Sequence, residues 1–208
     1  LGASTITTLT IGDVTPGSQF SDGGFVISTA TTLNLTNGKY SLGSATVGTA
    51  WPAWGTANIS AGTTVEYAAG VAQNVSAAPS YSDLAFSGTG TKTTAAGTTT
   101  VHRNWNVGSA AALNTNNSSI TVEGNITGAS NITSGTGTIS LAGNWTNSGT
   151  FASGTGTVNY FNAAGGQTVG ALTYNNLTLG NTSGTNTAAG TVTVNATLTT
   201  TAGGTLNM

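Results

Sequence analysis

The sequence predicts an all-β chain wound as a right-handed parallel β-helix, a β-solenoid with coils of about 19 residues. Three observations predict it. First, "EGNITGASNITSGTGTIS" (Glu123 to Ser140) overlies "AGNWTNSGTFASGTGTVN" (Ala142 to Asn159) when shifted by 19 places, a fixed period near those of solenoid repeats. Second, apolar residues come as doublets with one residue between, the alternation that puts both on one face of a strand. Third, 31 glycines and only 4% charged residues suit tight corners and flat uncharged faces, far from the quarter or so charged in ordinary domains.

The doublets are Val65/Tyr67, Leu84/Phe86, Ile120/Val122, Ile139/Leu141, Val158/Tyr160, Leu177/Leu179 and Val192/Val194. A parallel ladder needs a whole circuit between partners, and one period has room for three short strands and three corners. Each doublet is therefore expected to stack on the next. Chirality favours the right-handed winding. From Val101 the second members step by 21, 19, 19, 19 and 15 places. Val101 to Val194, Tyr67 to Tyr160, Tyr81 to Tyr174 and Leu113 to Leu206 are all 93 apart. Five unequal turns thus form one unit, present about twice. Residues 63–208 are expected to be the regular solenoid with this 93-residue super-repeat, and 1–62 an irregular N-terminal β segment continuous with it. In that segment "ITTLTIGD" (6–13), "GGFVIS" (23–28) and "TTLNLTNG" (31–38) read as strands, and "TAWPAWG" (49–55) interrupts them.

Four residues after a doublet stands a large apolar side chain, giving an expected core stack of Trp105, Ile126, Trp145 and Leu198. Before three of these sits an asparagine. Asn104, Asn125 and Asn144 are expected to form a ladder of side-chain amides along the axis, which satisfies polar groups at a corner.

"GNWTNSGTF" (143–151) and "YNNLTLGNTSG" (174–184) resemble the repeats of large secreted β-strand-repeat proteins of prokaryotic surfaces, the filamentous-haemagglutinin-like and autotransporter-like β-helix adhesins. The resemblance covers roughly 63–208 and rests on low-complexity motifs. It implies a parallel β-helix, export to the cell surface, and a role in adhesion or extracellular structure. It brings no catalytic residue with it.

The chain has few groups for chemistry. Its ionisable stock is Asp13, Asp22, Glu66, Asp83, Glu123, Lys39, Lys92, Arg103 and His102. Only His102, Arg103 and Glu123 fall together on adjacent coils, and a cross-coil ion pair on an exposed face outweighs an acid–base site there, because no second carboxylate joins them. No catalytic residue, metal site or cofactor is expected: no cysteine exists, and the corners carry no charged oxygen ligands. Three Lys/Arg make no phosphate-binding face, which argues against nucleic acid, and no apolar run is long enough to span a membrane. Leu1 is not an initiator methionine, so the chain reads as processed or as part of a longer one.

Eleven Asn-x-Ser/Thr sequons occur, and the exposed corners Asn116, Asn117 and Asn181 are the glycosylation candidates. Trp51, Pro52 and Trp54 read as core filling or an end cap ahead of a sugar-stacking platform. Thr-x-Thr pairs raise ice binding. However, the residue within each doublet is Glu66, Ala85, Thr100, Thr121, Ser140, Asn159, Thr178 and Thr193, which is too uneven for one ice-facing column. The function expected is a structural extracellular or cell-surface subunit that binds copies of itself head to tail in a filament, sheath or layer. The alternative is an adhesin, or a receptor- or glycan-binding segment of a larger β-helix protein. An enzyme ranks last.

Overall fold

The computed structural model describes residues 7–12, 17–27, 31–108 and 112–208. All regular structure among them is β-strand, and every strand pairing is parallel, with partners one coil apart, as in Ile120 with Ile139 or Lys39 with Thr64. That is a β-solenoid. The chain visits its faces in a fixed order. Thr98–Val101 lies in a seven-stranded sheet, Trp105–Val107 in a six-stranded sheet and Leu113–Asn114 in a five-stranded sheet, before Ser119–Val122 returns to the first. Inward residues alternate with outward ones along each strand, as a pleat requires, and the inward ones form one continuous core from Ile11 to Leu179.

The first coils are longer than the rest. Thr8–Ile11, Thr32–Leu35 and Thr56–Ile59 form a three-stranded sheet in which Thr8 pairs with Thr32 and Thr32 with Thr56. They alternate with Gln19–Ser21, Lys39–Leu42 and Thr64–Tyr67, the first strands of the six-stranded sheet. Gly38 turns the chain between the two faces. Its φ of +86° excludes most residues, and a Cβ there would lie 1.9 Å from the Ser18 carbonyl oxygen. "ITTLTIGD" and "TTLNLTNG" contain strands, although Ile6 and Asp13 fall outside the described residues. "GGFVIS" does not: residues 23–27 are a turn and loop with Phe25 and Val26 exposed, and Ser28 is outside the described residues. The strand lies earlier, at Gln19–Ser21, and the apolar pair sits in the corner that follows it.

The 15-residue step is not a short coil. Val101, Val122, Leu141, Tyr160 and Leu179 do form a single column in the seven-stranded sheet. Leu84 and Phe86, however, pair with Trp105 and Val107 in the six-stranded sheet, while Val101 pairs with Tyr81. The same pairing recurs at the far end, where Leu177 pairs with Leu198 and Tyr174 with Val194. The step from Phe86 to Val101 therefore passes from one face to another within a coil, while Leu179 and Val194 both lie in the seven-stranded sheet, on strands whose register shifts between Tyr174 and Asn176. The 93-residue shift carries Leu84 and Phe86 of the six-stranded sheet onto Leu177 and Leu179 of the seven-stranded one. It carries Leu113 of the five-stranded sheet onto Leu206, in a C-terminal three-stranded sheet. That last sheet continues the six-stranded face, since the Trp145 amide bonds to the Thr168 carbonyl at 3.2 Å. By these pairs the second unit is turned by one face relative to the first, although Tyr174 and Val194, the counterparts of Tyr81 and Val101, stay on strands of the seven-stranded sheet.

The turned unit keeps its internal fastening. The Tyr67 and Tyr81 hydroxyls meet at 2.8 Å, and those of Tyr160 and Tyr174 at 3.1 Å. In each pair the first tyrosine accepts from a corner amide (Ser76 or Gly170), and the second donates to the carbonyl of the same residue. Burial raises all four phenols above their ordinary 10, Tyr67 and Tyr160 to about 12.

Candidate functional site

The asparagine column is a hydrogen-bonded ladder running along one corner. It starts on a carboxylate that the spacing of asparagines did not suggest. Asp83 Oδ1 accepts from the Asn104 amide at 2.9 Å and from Asn104 Nδ2 at 3.1 Å. Asn104 Oδ1 then accepts from the backbone and side chain of Asn125, at 3.2 and 3.3 Å. Asn125 Oδ1 takes the Asn144 amide at 2.8 Å, and Asn144 Oδ1 takes the Thr168 amide at 2.7 Å. Glycine before the asparagine permits the close approach: a Cβ at Gly143 would lie 2.2 Å from the Gly124 carbonyl oxygen and 2.7 Å from Asn125 Oδ1. Asn125→Ala removes an acceptor for the Asn144 amide, so we expect a loss of about 1–3 kcal/mol in chemical denaturation. A loss within error would mean that water replaces the amide at no cost.

Beside the ladder, Trp105, Ile126 and Trp145 stack in the six-stranded face, buried as expected. Leu198 does not belong to that stack. It pairs with Leu177 in the seven-stranded sheet, on the outermost coil, and is 52% exposed.

The charged groups are nearly all spent on one another. His102 Nδ1 lies 3.0 Å from Glu123 Oε2, both half-exposed, on the adjacent coils the sequence indicates. Arg103 departs from the expected trio: it reaches Asp83, at 3.6 Å, the carboxylate beneath its own corner. Lys39 meets Glu66 at 2.7 Å, and Ser41 and Ser87 donate to the same carboxylate. Burial would raise the Glu66 pKa, but the bonds from Lys39, Ser41 and Ser87 outweigh it and hold it below the usual range. Asp22 accepts from the amides of Gly24 and Gly43 and from the Thr49 hydroxyl. Asp13 lies outside the described residues.

Lys92 pairs with no carboxylate among the described residues. It is fully buried in the five-stranded face, its ammonium donating to the carbonyls of Ala69 at 2.6 Å and Gly90 at 3.2 Å. Burial without a countercharge pushes its pKa down to about 8. A single lysine in "KTT" gives no sequence signal for such a place, because Thr94 two residues on is polar as well.

Of the glycosylation candidates, Asn116 and Asn117 form an exposed corner with φ of 51° and 61°, where asparagine tolerates the left-handed conformation. Asn181 is buried, contrary to expectation. Its Nδ2 donates to the carbonyls of Ser183 and Gly184 and its Oδ1 accepts from Asn186, which leaves no room for a sugar.

A cleft of about 590 Å³ lies where the N-terminal three-stranded sheet stops at Thr56–Ile59 and the seven-stranded sheet starts at Ser80–Tyr81. Trp51, Trp54, Asn58 and His102 line it. Trp51 also packs on Tyr40 and Tyr81, at 5.9 and 6.2 Å, so it fills the side of the core across coils and does not cap an end. Pro52 is buried, and Trp54 Nε1 is buried without a hydrogen-bond partner. At the other extreme of the rod, Thr193–Thr200 is an edge strand with almost every residue exposed. Compared with known proteins, the chain matches no family model, no curated protein and no solved structure.

Proposed function

We propose that the chain is a structural rod of the cell exterior or surface, whose coils continue end to end through pairing with further copies of itself. The observation that supports this most is the edge of Thr193–Thr200. The Thr201 amide bonds back to the Leu179 carbonyl, so by alternation the amides of Leu198 and Thr200 point away from the rod. With the exposed Leu198 side chain they make a strand-receptive surface, of the kind soluble proteins ordinarily cover. A head-to-tail contact there is heterologous and propagates without closing.

Charge has little part in such a contact, because no Asp, Glu, Lys, Arg or His follows Glu123. Fibres one rod wide should form from the purified 208-residue chain in electron micrographs and persist from low to moderate salt, since screening acts on charges. Leu198→Pro, which removes one outward donor, or Thr199→Lys should abolish fibres and leave the β circular dichroism unchanged. Fibres that dissolve in salt or survive both substitutions would place contacts on the sides. Short monomeric rods would assign the edge to further coils of one polypeptide.

The cleft lined by Trp51 and Trp54 favours a second reading, an adhesin segment that takes a surface glycan between the two sheets. Glycan-array binding lost in Trp54→Ala supports it, and a blank array counts against it.

A further inference from the structure

On the seven-stranded sheet, the positions between inward-facing residues form columns. One runs Ser80, Thr100, Thr121, Ser140, Asn159, Thr178 and Thr199, each the ladder partner of the next. Beside it, two residues earlier in each strand, Thr98 pairs with Ser119, and Thr138 with Thr157, Asn176 and Thr197 in turn. Glu66 and Ala85, which spoil the column when the sequence is read alone, lie on the six-stranded sheet instead. What remains is a face with two columns of small hydroxyl and amide side chains, free of charge and of aromatic rings.

A second observation concerns where those hydroxyls point. Elsewhere threonine hydroxyls turn back to the chain: Thr94 to Thr115, Thr115 to Ser134 and Thr201 to Asn181, each onto a carbonyl. No hydroxyl of either column from Thr98 to Thr199 makes such a bond. The hydroxyls are left to bond what lies on the face, whereas the Asn176 amide bonds back to the Thr155 and Gly156 carbonyls. The spacing is regular in two directions, about 4.8 Å between coils and about 6.6 Å between alternate residues of a strand. The first is close to the shorter oxygen repeat of the prism plane of ice, and the second falls short of the longer one. Threonine methyls between the hydroxyls would hold water in fixed positions and exclude none of the lattice.

We propose that this face binds crystalline ice. Crystalline polysaccharide fits it less well, since sugar rings stack on aromatic side chains and the columns contain none. Many weak, simultaneous contacts across a rigid plane supply the affinity, so a single bulky charge in the middle should be enough to disrupt it.

The test is uptake of the 208-residue chain into a slowly growing ice hemisphere, together with thermal hysteresis and ice-crystal shape. The unmodified chain should enter the ice, open a gap between melting and freezing points, and facet the crystals. Thr121→Lys, outward on the central strands, should lose all three. Thr93→Lys, outward on the five-stranded sheet, should keep them, and circular dichroism should show both variants folded. Exclusion of the unmodified chain from ice overturns the proposal. So does equal loss in both variants. Dimers in sedimentation that Thr121→Lys dissociates, with no ice uptake, would make the face a contact between copies instead.

Discussion

Trp105→Ala should destabilise the rod by about 3–5 kcal/mol, the range for emptying a buried tryptophan site. Trp105 is wholly buried, paired between Leu84 and Ile126 and in edge contact with Phe86 at 6.2 Å. Full coils on both sides keep the cavity from collapsing. For a chain of this length the midpoint of thermal unfolding should fall by roughly 10 °C, followed by far-ultraviolet circular dichroism. Trp105→Phe provides the contrast. The indole Nε1 is buried without a partner, so replacing it with a hydrocarbon ring removes an unpaired donor as well as some volume. It should cost much less than alanine. Equal losses would show that polar satisfaction, not volume, governs the site.

The second large effect is on pH dependence. Lys92 falls from its ordinary 10.5 to about 8 in the folded chain. Below pH 8 both states carry the proton, and the cost of burying the ammonium is fully present. Between about 8 and 10.5 the unfolded chain holds the proton that the folded chain has released, so this group's contribution to stability rises with pH, by about 3 kcal/mol in all. Toward their ordinary 10 the tyrosines act in the opposite direction. Unfolded phenols ionise while burial keeps Tyr40, Tyr67, Tyr81, Tyr160 and Tyr174 neutral, so the folded chain binds more protons and stability falls. Five phenols together overtake the single lysine before they reach their own midpoint, so denaturant midpoints should peak at about pH 9. Lys92→Met should flatten the rising limb and leave the falling one, while the freed carbonyls of Ala69 and Gly90 offset part of its gain at neutral pH. Parallel curves for the two proteins between pH 8 and 10 would rule out the buried charge as the cause.

Much of this architecture can be read from the letters because coil and corner impose different residue types at fixed spacing. The regularly spaced doublets give the seven-stranded sheet, and asparagines just ahead of Trp105, Ile126 and Trp145 give the ladder. The change of face is harder to see. The shorter step from Phe86 to Val101 looks like a short coil, and only the pairing of Tyr81 with Val101 shows that the chain has moved to another side. That one misplacement put Leu198 in the wrong stack and mixed Glu66 and Ala85 into the hydroxyl column. Asn181 misled for another reason. Its sequon letters match those of an exposed corner, and burial depends on Asn186, whose amide reaches it across the turn. Lys92 and the N-terminal loop at Phe25 and Val26 break the rule that polarity reports exposure, each in its own direction.

The one-face offset between the two units bears on how such a chain could lengthen. A duplicated segment spanning a whole number of coils acts as a pure translation and extends each flank with more of the same chemistry. This one acts as a screw. Each added copy would advance the rod and rotate its features by a third of a revolution, so that a tyrosine clasp or a hydroxyl plane returned to the same side only after three copies. Growth by duplication would then yield a rod patterned alike on all sides, and a long one-sided surface would have to come from substitution, copy by copy.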